Sequence, residues 1–136
     1  MAKEIAERES MPHFAGLLGV EWLDDDPGAA RARVEVRDEL LQPFGIVHGG
    51  VMSTLVESVC SRATALAVHG DGMAAMGQSI DVSFVRPIAE GSIEVLARAR
   101  HRGRTTWVWD AEVSDSEGRL CALSRMTIAV RPAPGR

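Results

Sequence analysis

The sequence has little lysine, little cysteine and no long apolar run, and each scarcity excludes a class of protein. Only one of its 15 basic residues is a lysine, Lys3, and the net charge is −4, so nucleic acid is not the expected partner. Cys60 and Cys121 form neither a disulfide framework nor a metal-binding spacing. Without a signal-peptide pattern or an 18-residue apolar run, we expect a cytoplasmic protein with free thiols, no metal site and no membrane contact.

A chain of 136 residues suits one domain, residues 1–136, with one hydrophobic core. The sequence contains no internal repeat and no low-complexity segment. The charged first ten residues and the tail from Pro132 are expected to be poorly ordered, so the ordered core is predicted over about residues 12–131.

The order of predicted elements favours an α+β fold. Periodicity and turn signals predict short helices within 1–18, strands at 20–24 and 31–37, a long helix over 49–68, and strands at 73–86, 92–101, 105–114 and 120–130. The long helix is apolar on most sides and needs covering, which a curved sheet wrapped around it would supply. Trp107 and Trp109 are expected on an outer strand, with room for a subunit contact.

The stretch QPFGIVHGGVMSTLVESVCS, residues 42–61, carries the chemistry. Helical steps of three and four place small polar residues and one acid, Glu57, on a narrow stripe. That stripe comprises Gly50, Ser53, Thr54, Glu57, Ser58, Ser61 and Thr64. Glu57 is either the wet edge of an amphipathic helix or a carboxylate in an apolar cleft, acting as base or nucleophile with Ser58 and Ser61 orienting it.

The glycine pair before the acid suggests a donor site. If the helix starts near Gly49, its first N–H groups lack internal partners and carry the positive end of the helix dipole. They could receive a carbonyl oxygen as it gains negative charge, and Gln42 could add an amide donor. His48 is either a reactive group or a structural one that bonds across the loop.

Distance then predicts a dimer. Gly49 and Glu57 are eight residues apart, about 12 Å along one helix axis, whereas one reacting carbonyl must lie roughly 3 Å from donor and base alike. We therefore predict that the glycine end of one chain faces the acid of a second chain across a two-fold axis, giving two equivalent sites.

The segments QPFGIVHGG, ESVCS, VRPIAEG and HRGR resemble those of the hotdog-fold acyl-CoA thioesterases. The similarity is to the PaaI-like and Arthrobacter-type 4-hydroxybenzoyl-CoA branch, near the 1,4-dihydroxy-2-naphthoyl-CoA and enterobactin proofreading thioesterases. It spans about residues 15–130. It implies five or six antiparallel strands wrapped around one long central helix, and dimers that pair into tetramers.

The resemblance also implies residue roles. The catalytic acid falls on Glu57, the carbonyl-polarising N–H on Gly49 and its side-chain partner on Gln42. The hydroxyl that helps to place water falls on Ser61, and the motif histidine is His48. Relatives often carry histidine two residues before the arginine of the VRP segment, where this chain has Phe84.

Further residues are candidates for binding the substrate. The alternating arginines of RARHRGR form either a solvated strand face or a phosphate site for CoA. The candidates for the phosphates are Arg86, Arg102, Gly103, Arg104 and Thr105. The candidates for the acyl pocket are Phe44, Met52 and Ser79, with packing an alternative for Met52 and ordinary strand polarity for Ser79.

The resemblance implies an enzyme that hydrolyses the thioester of an aromatic or medium-chain acyl group with CoA or an acyl-carrier protein, using no cofactor. Glu57 would attack directly or activate water, and the sequence leaves both open. The alternative is a non-catalytic, acyl-CoA-binding regulatory dimer.

Overall fold

The computed structural model of the protein describes residues 2–135. Two short helices open it, α1 (Ala2–Glu9) and α2 (Phe14–Leu18). Gly19 ends α2 with a φ of 75°, a left-handed conformation that glycine adopts at no steric cost. The first ten residues, expected to be poorly ordered, thus contain a helix, and its last residue, Glu9, pairs with Arg62 of the long helix.

Six strands form one antiparallel sheet in the order β1-β2-β4-β5-β6-β3. The strands are β1 (Glu21–Asp24), β2 (Ala30–Glu35), β3 (Met73–Phe84), β4 (Ser92–Arg102), β5 (Thr106–Asp115) and β6 (Leu120–Pro132). The last three are joined by tight turns, as the sequence indicates. Strand β3 instead lies beside β6 at the edge of the sheet, so the segment 85–91 crosses to β4 on the far side of two other strands.

The long helix α3 (Gly49–Val68) has the predicted bounds and lies in the concave side of the sheet. Its apolar side chains are buried against the inward residues of the strands. Asp38–Leu40 and His69–Asp71 form short 3₁₀ turns before and after this region. The arrangement confirms the α+β, hotdog-type architecture of one sheet wrapped around one helix.

The two tryptophans of β5 lie inside, which corrects the expectation of an outer subunit contact. Strand β5 is central in the sheet, and Trp107 and Trp109 are 7% and 0% exposed. The indole N–H of Trp109 donates to the Thr64 hydroxyl at 2.9 Å, and Thr64 in turn donates to the Cys60 carbonyl at 2.7 Å. Thr64 was predicted on the polar stripe, but its side chain is buried and links the helix to the sheet through Trp109.

The segment Gly49–Asp71 is long and apolar enough to cross a membrane by length and composition alone. The core helix of a globular domain meets the same condition. In this fold the helix packs against strands β2 to β6 and carries Glu57 and Arg62, so we describe it as the core helix.

Candidate active site

A tight loop between Leu41 and Val47 precedes α3. Leu41 and Val47 pair as an isolated antiparallel bridge, and the Gln42 N–H donates to the Ile46 carbonyl at 2.8 Å. Gly45 turns the chain with a φ of 80°, a conformation that favours glycine. These bonds hold both ends of the loop together, so Gln42 lies close to the first turn of the helix.

His48 caps that helix. Its Nδ1 accepts a hydrogen bond from the Gly50 N–H at 2.8 Å, and its carbonyl accepts from the Val51 N–H at 2.9 Å. His48 therefore has a structural contact, and a chemical role for its imidazole stays a prediction. A neutral ring that accepts at Nδ1 carries its proton on Nε2.

The Gly49 N–H has no acceptor among residues 2–135. It lies at the positive end of the dipole of a 20-residue helix, where a partial negative charge is stabilised. This N–H can therefore donate to a ligand oxygen, and its role toward a substrate carbonyl stays a prediction.

Gly49 and Gln42 line the same open pocket, of about 710 Å³. Its wall is mostly apolar, with Arg86 at its exposed rim and Met52 buried beneath. The lining residues are Gln42, Pro43, Ile46, Val47, His48, Gly49, Met52, Phe84, Val85, Arg86 and Pro87. The structure therefore brings together five of the predicted site residues: Gln42, His48, Gly49, Met52 and Arg86.

Phe84 points the tip of its ring at the Gly49 backbone. A Cβ added at Gly49 would lie 2.8 Å from Cζ of Phe84 and 3.2 Å from both Cε atoms. This approach leaves no room for a side chain at position 49. Phe84, at the position where the resemblance leads one to expect histidine, thus forms part of the pocket wall beside the Gly49 N–H.

Glu57 lies two turns further along α3 and is half-buried. Its Oε1 accepts a hydrogen bond from Ser61 Oγ at 2.9 Å, as predicted. The same oxygen lies against Gly77 of β3, where an added Cβ would come within 2.9 Å of it. A bulge in the pairing of β3 with β6 follows Gly77 at once, so the strand is irregular beside the carboxylate.

Cys60 is next to this acid but has no reactive character. Burial raises the pKa of its thiol, and the nearby Glu57 charge raises it further. The thiol therefore stays protonated and acts as core packing, and Cys121 is likewise buried and free.

A second, smaller pocket of about 320 Å³ begins at Ser61. It lies over α3 between Trp22 of β1 and Ala75 of β3, beneath the α1–α2 segment. Its lining residues are Glu9, His13, Ala15, Trp22, Ser58, Ser61, Arg62, Ala65 and Ala75.

One chain does not join the predicted donors to the predicted acid. Glu57 and Ser61 lie outside the lining of the Gln42–Gly49 pocket, in agreement with the 12 Å separation that the helix geometry indicates. Phe44 is 88% exposed at the loop tip and lines neither pocket. Ser79 pairs with Thr127, whose neighbours Met126 and Ile128 face the helix, so Ser79 points away from α3.

The Arg102–Thr105 turn is also remote from the Gln42–Gly49 pocket. It joins the end of β4 to the start of β5. Ser92, at the start of β4, pairs with Glu35 at the end of β2, where the chain continues into the loop before α3, so the turn lies at the opposite end of the sheet from that loop. Arg102 lies over the Trp107 ring at 5.8 Å from its centre, and the Gly103 N–H donates to the Thr106 carbonyl. Arg100 and Arg125 pair with Asp110 on the outer face, so part of the arginine run is ion-paired surface.

Sequence reasoning missed Gly77 and did not place Phe84 in the site. A glycine inside a strand pattern is a known signal of a bulge or a close backbone approach, so Gly77 could have been found. No comparable signal connects Phe84 with Gly49. Among the described residues no group of three or more His, Cys, Asp or Glu side chains is arranged to hold a metal ion.

Comparison with known proteins gives one consistent result. The family model described as "Thioesterase superfamily" matches residues 44–122. The 1,4-dihydroxy-2-naphthoyl-CoA hydrolase of Escherichia coli is 36% identical over 120 residues, 87% of this chain and 86% of the relative. The proofreading thioesterase EntH of Cronobacter turicensis is 35% identical over 132 residues, 96% of this chain and 94% of the relative. The crystal structure of a mutant thioesterase from Pseudomonas aeruginosa superposes with a TM-score of 0.87 at 31% identity, covering 96% of this chain and 93% of the other.

Proposed function

The chain belongs to the thioesterase superfamily, and we propose that it hydrolyses an acyl-CoA thioester to the free acid and CoA, with Glu57 as the reactive carboxylate. The observation that carries this proposal is the set of contacts made by the Glu57 carboxylate. Its carboxylate is held by Ser61 and packs against a strand position that has no side chain, Gly77, so its position on the helix is defined from two sides.

The second component of the site is the helix start. The Gly49 N–H is free and lies at the positive helix end, and Gln42 shares its pocket. These donors would bind the thioester oxygen as negative charge develops on it in the transition state. Glu57 either removes a proton from the attacking water or attacks the carbonyl carbon itself. In the second route a mixed anhydride of the acyl group with Glu57 forms as the carbon–sulfur bond breaks, and water then cleaves the anhydride to release the acid and restore the carboxylate. In both routes the CoA thiolate takes up a proton, and water is the only co-reactant.

The two components meet if two chains pair through β3. This strand is an edge strand with one side of its backbone unpaired, and it exposes Met76, Ile80 and Phe84. Exposed apolar edge strands are sites of strand pairing. Antiparallel pairing about a two-fold axis near Ile80 would set Gly77, and with it Glu57, opposite Phe84 of the second chain, whose ring touches Gly49. Further association of such dimers into tetramers stays a prediction.

The same pairing suggests a position for CoA. In an antiparallel pair of β3 strands, the start of one strand lies beside the end of the other. The Arg102–Thr105 turn of one chain would therefore lie near the Gln42–Gly49 pocket of the second chain. Arg102 and Arg104 there, with Arg86 at the pocket rim, are the proposed contacts for the phosphates. Gly103 and Thr105 would shape the turn, and Phe44 and Ser79 would reach substrate only across the dimer.

The smaller pocket beside Ser61 supports a compact acyl group. Its volume of about 320 Å³ lies at the small end of ligand pockets, and its lining is mainly apolar. An aromatic or medium-chain acyl group bound there would place its carbonyl carbon beside Glu57.

The test is release of free thiol from a panel of acyl-CoA thioesters by the wild-type protein and by Glu57→Ala. We expect the wild type to hydrolyse benzoyl-CoA or phenylacetyl-CoA and the variant to lose about 10²–10⁴-fold in kcat. Tight thioester binding without thiol release across the panel would instead favour a non-catalytic acyl-CoA-binding dimer.

A further inference from the structure

Arg62 connects three separate parts of the fold at the wall of the pocket beside Ser61. Its guanidinium pairs with Glu9 at the end of α1 and with Asp25 after β1, and it lies over the Trp22 ring at 4.7 Å from the ring centre. Although charged, the side chain is only 18% exposed. A planar guanidinium with two carboxylates and an aromatic face is held in one orientation, which a lysine would not reproduce.

Helical spacing places Arg62 across the pocket from the reactive pair. Glu57 and Ser61 form one row on α3, and Ser58 and Arg62 form the neighbouring row. The first row borders β3, since Glu57 touches Gly77, and the second borders β1, since Arg62 covers Trp22. An acyl group that enters beside Ser61 therefore meets the wall made by Arg62 and Trp22.

The roof of the pocket is the segment between α1 and α2. His13 braces this segment, because its Nε2 lies 2.7 Å from the Glu9 carbonyl and its Nδ1 accepts from the Gly16 N–H at 2.9 Å. Glu9, His13 and Ala15 all line the pocket. The ion pair of Glu9 with Arg62 ties this roof to the helix that carries Glu57.

We propose that Arg62 is a specificity-determining residue, which limits the substrate to a compact, uncharged acyl group such as an aromatic ring. It does so by holding the roof and Trp22 against α3, which narrows this open pocket along the path that a long acyl chain would take. Glu9 and Asp25 together leave one negative charge in excess over Arg62, which disfavours acyl groups that end in a carboxylate. This inference rests on the proposed function, because it assumes that the acyl group enters beside Glu57.

The experiment compares kcat/KM for hexadecanoyl-CoA with kcat/KM for benzoyl-CoA in the wild type and in Arg62→Ala. Loss of the guanidinium releases the roof and opens the wall, so we expect the hexadecanoyl-to-benzoyl ratio to rise about tenfold or more. A matched control is Arg119→Ala, which removes an arginine paired with two carboxylates, Asp115 and Glu117, at the β5–β6 turn. That variant is expected to keep the wild-type ratio.

Equal loss of activity on both thioesters in Arg62→Ala would overturn the inference, since it would indicate a structural role only. If Arg62→Ala does not fold, Glu9→Gln answers the same question, because it frees the roof while Arg62 keeps Asp25 and Trp22. An unchanged ratio in Glu9→Gln would then overturn the inference, and a raised ratio would support it. Glu57→Ala, measured on both substrates, separates the two proposals: a changed ratio in Arg62→Ala together with full activity in Glu57→Ala would support the assignment of Arg62 and reject that of Glu57.

Discussion

Ser61 Oγ donates a 2.9 Å hydrogen bond to Oε1 of Glu57, one turn earlier on the same helix. The bond fixes the rotamer of a carboxylate that lies on a narrow polar stripe of an otherwise apolar helix. It also places the carboxylate next to the smaller pocket, because Ser61 lines that pocket.

Ser61→Ala should lower kcat and leave KM nearly unchanged. A hydrogen bond to a charged group contributes about 1.5–3 kcal/mol, so its loss should reduce turnover about 10- to 100-fold. The measurement is steady-state thiol release. Ser53→Ala is the control, since its hydroxyl donates to the Gly49 carbonyl on the same helix and not to the Glu57 carboxylate. Equal rates for Ser61→Ala and wild type would show that the bond does not orient the carboxylate for reaction.

Mixed dimers test whether the site spans two chains. Chains carrying Glu57→Ala and chains carrying Gln42→Ala should each be weakly active alone. If each site uses Glu57 from one chain and Gln42 from the other, a mixed dimer contains one site with neither substitution. Co-refolding the two variants in equal amounts should therefore restore up to a quarter of wild-type activity, because roughly half of the dimers are mixed and each has one intact site. No recovery on mixing would mean that donors and acid act within one chain.

Gly77→Ala should impair the site more than the fold. The added Cβ would lie 2.9 Å from Oε1 of Glu57 and 2.7 Å from Cε of Met126. The flexible methionine can move, but the carboxylate would be displaced from its bond with Ser61. We expect a fall in kcat of about tenfold or more at a modest loss of stability. Gly70→Ala, where an added Cβ meets nothing within 4 Å, is the control for replacing a glycine. A fully active Gly77→Ala enzyme would contradict the need for close approach at this strand.

His48→Ala and His48→Asn distinguish a capping role from a chemical one. Alanine leaves the Gly50 N–H without its acceptor, which costs about 1 kcal/mol of the free energy of unfolding, whereas asparagine can cap the helix. Urea unfolding should therefore rank the wild type and His48→Asn above His48→Ala. If His48→Asn folds stably but loses turnover, the imidazole has a chemical role beyond the cap.

Protonation of Asp115 should make the free energy of unfolding depend on pH in the acid range. Burial of this carboxyl opposes ionisation, but hydrogen bonds from the Arg119 backbone and side chain, and from the Glu117 backbone, hold its pKa below the usual 3.8. A lowered pKa stabilises the folded state above the unfolded pKa, and this contribution is lost as the pH falls through the folded value. The difference in free energy of unfolding between wild type and Asp115→Asn should thus be constant above about pH 5 and shrink below pH 3.8. Urea unfolding across pH 2.5–7 measures it, and a difference that persists unchanged at the acid end would rule out this linkage.

Local pattern alone determined much of this protein. The glycine pair and the apolar spacing predicted helix α3 with both of its bounds, and the alternation of side chains together with turn signals predicted every strand to within a few residues. The bond between Ser61 and Glu57 follows from a spacing of four on one helix, and the His48 cap follows from its place before the glycines. These features depend on residues that are close in the chain, and sequence spacing predicts which of those residues share a face of a helix or strand.

Only the tertiary structure decided which elements meet. It put β3 at the sheet edge, Trp109 beneath Thr64, Gly77 against Glu57 and Phe84 against Gly49. It also gave Arg62 its partners Glu9 and Asp25, which are 53 and 37 residues away in the chain. Strand order and contacts between elements arise from burying one apolar surface against another, and many sequences of local elements permit several such arrangements. The candidate reactive groups could therefore be proposed from the chain alone, whereas the walls around them were set by packing.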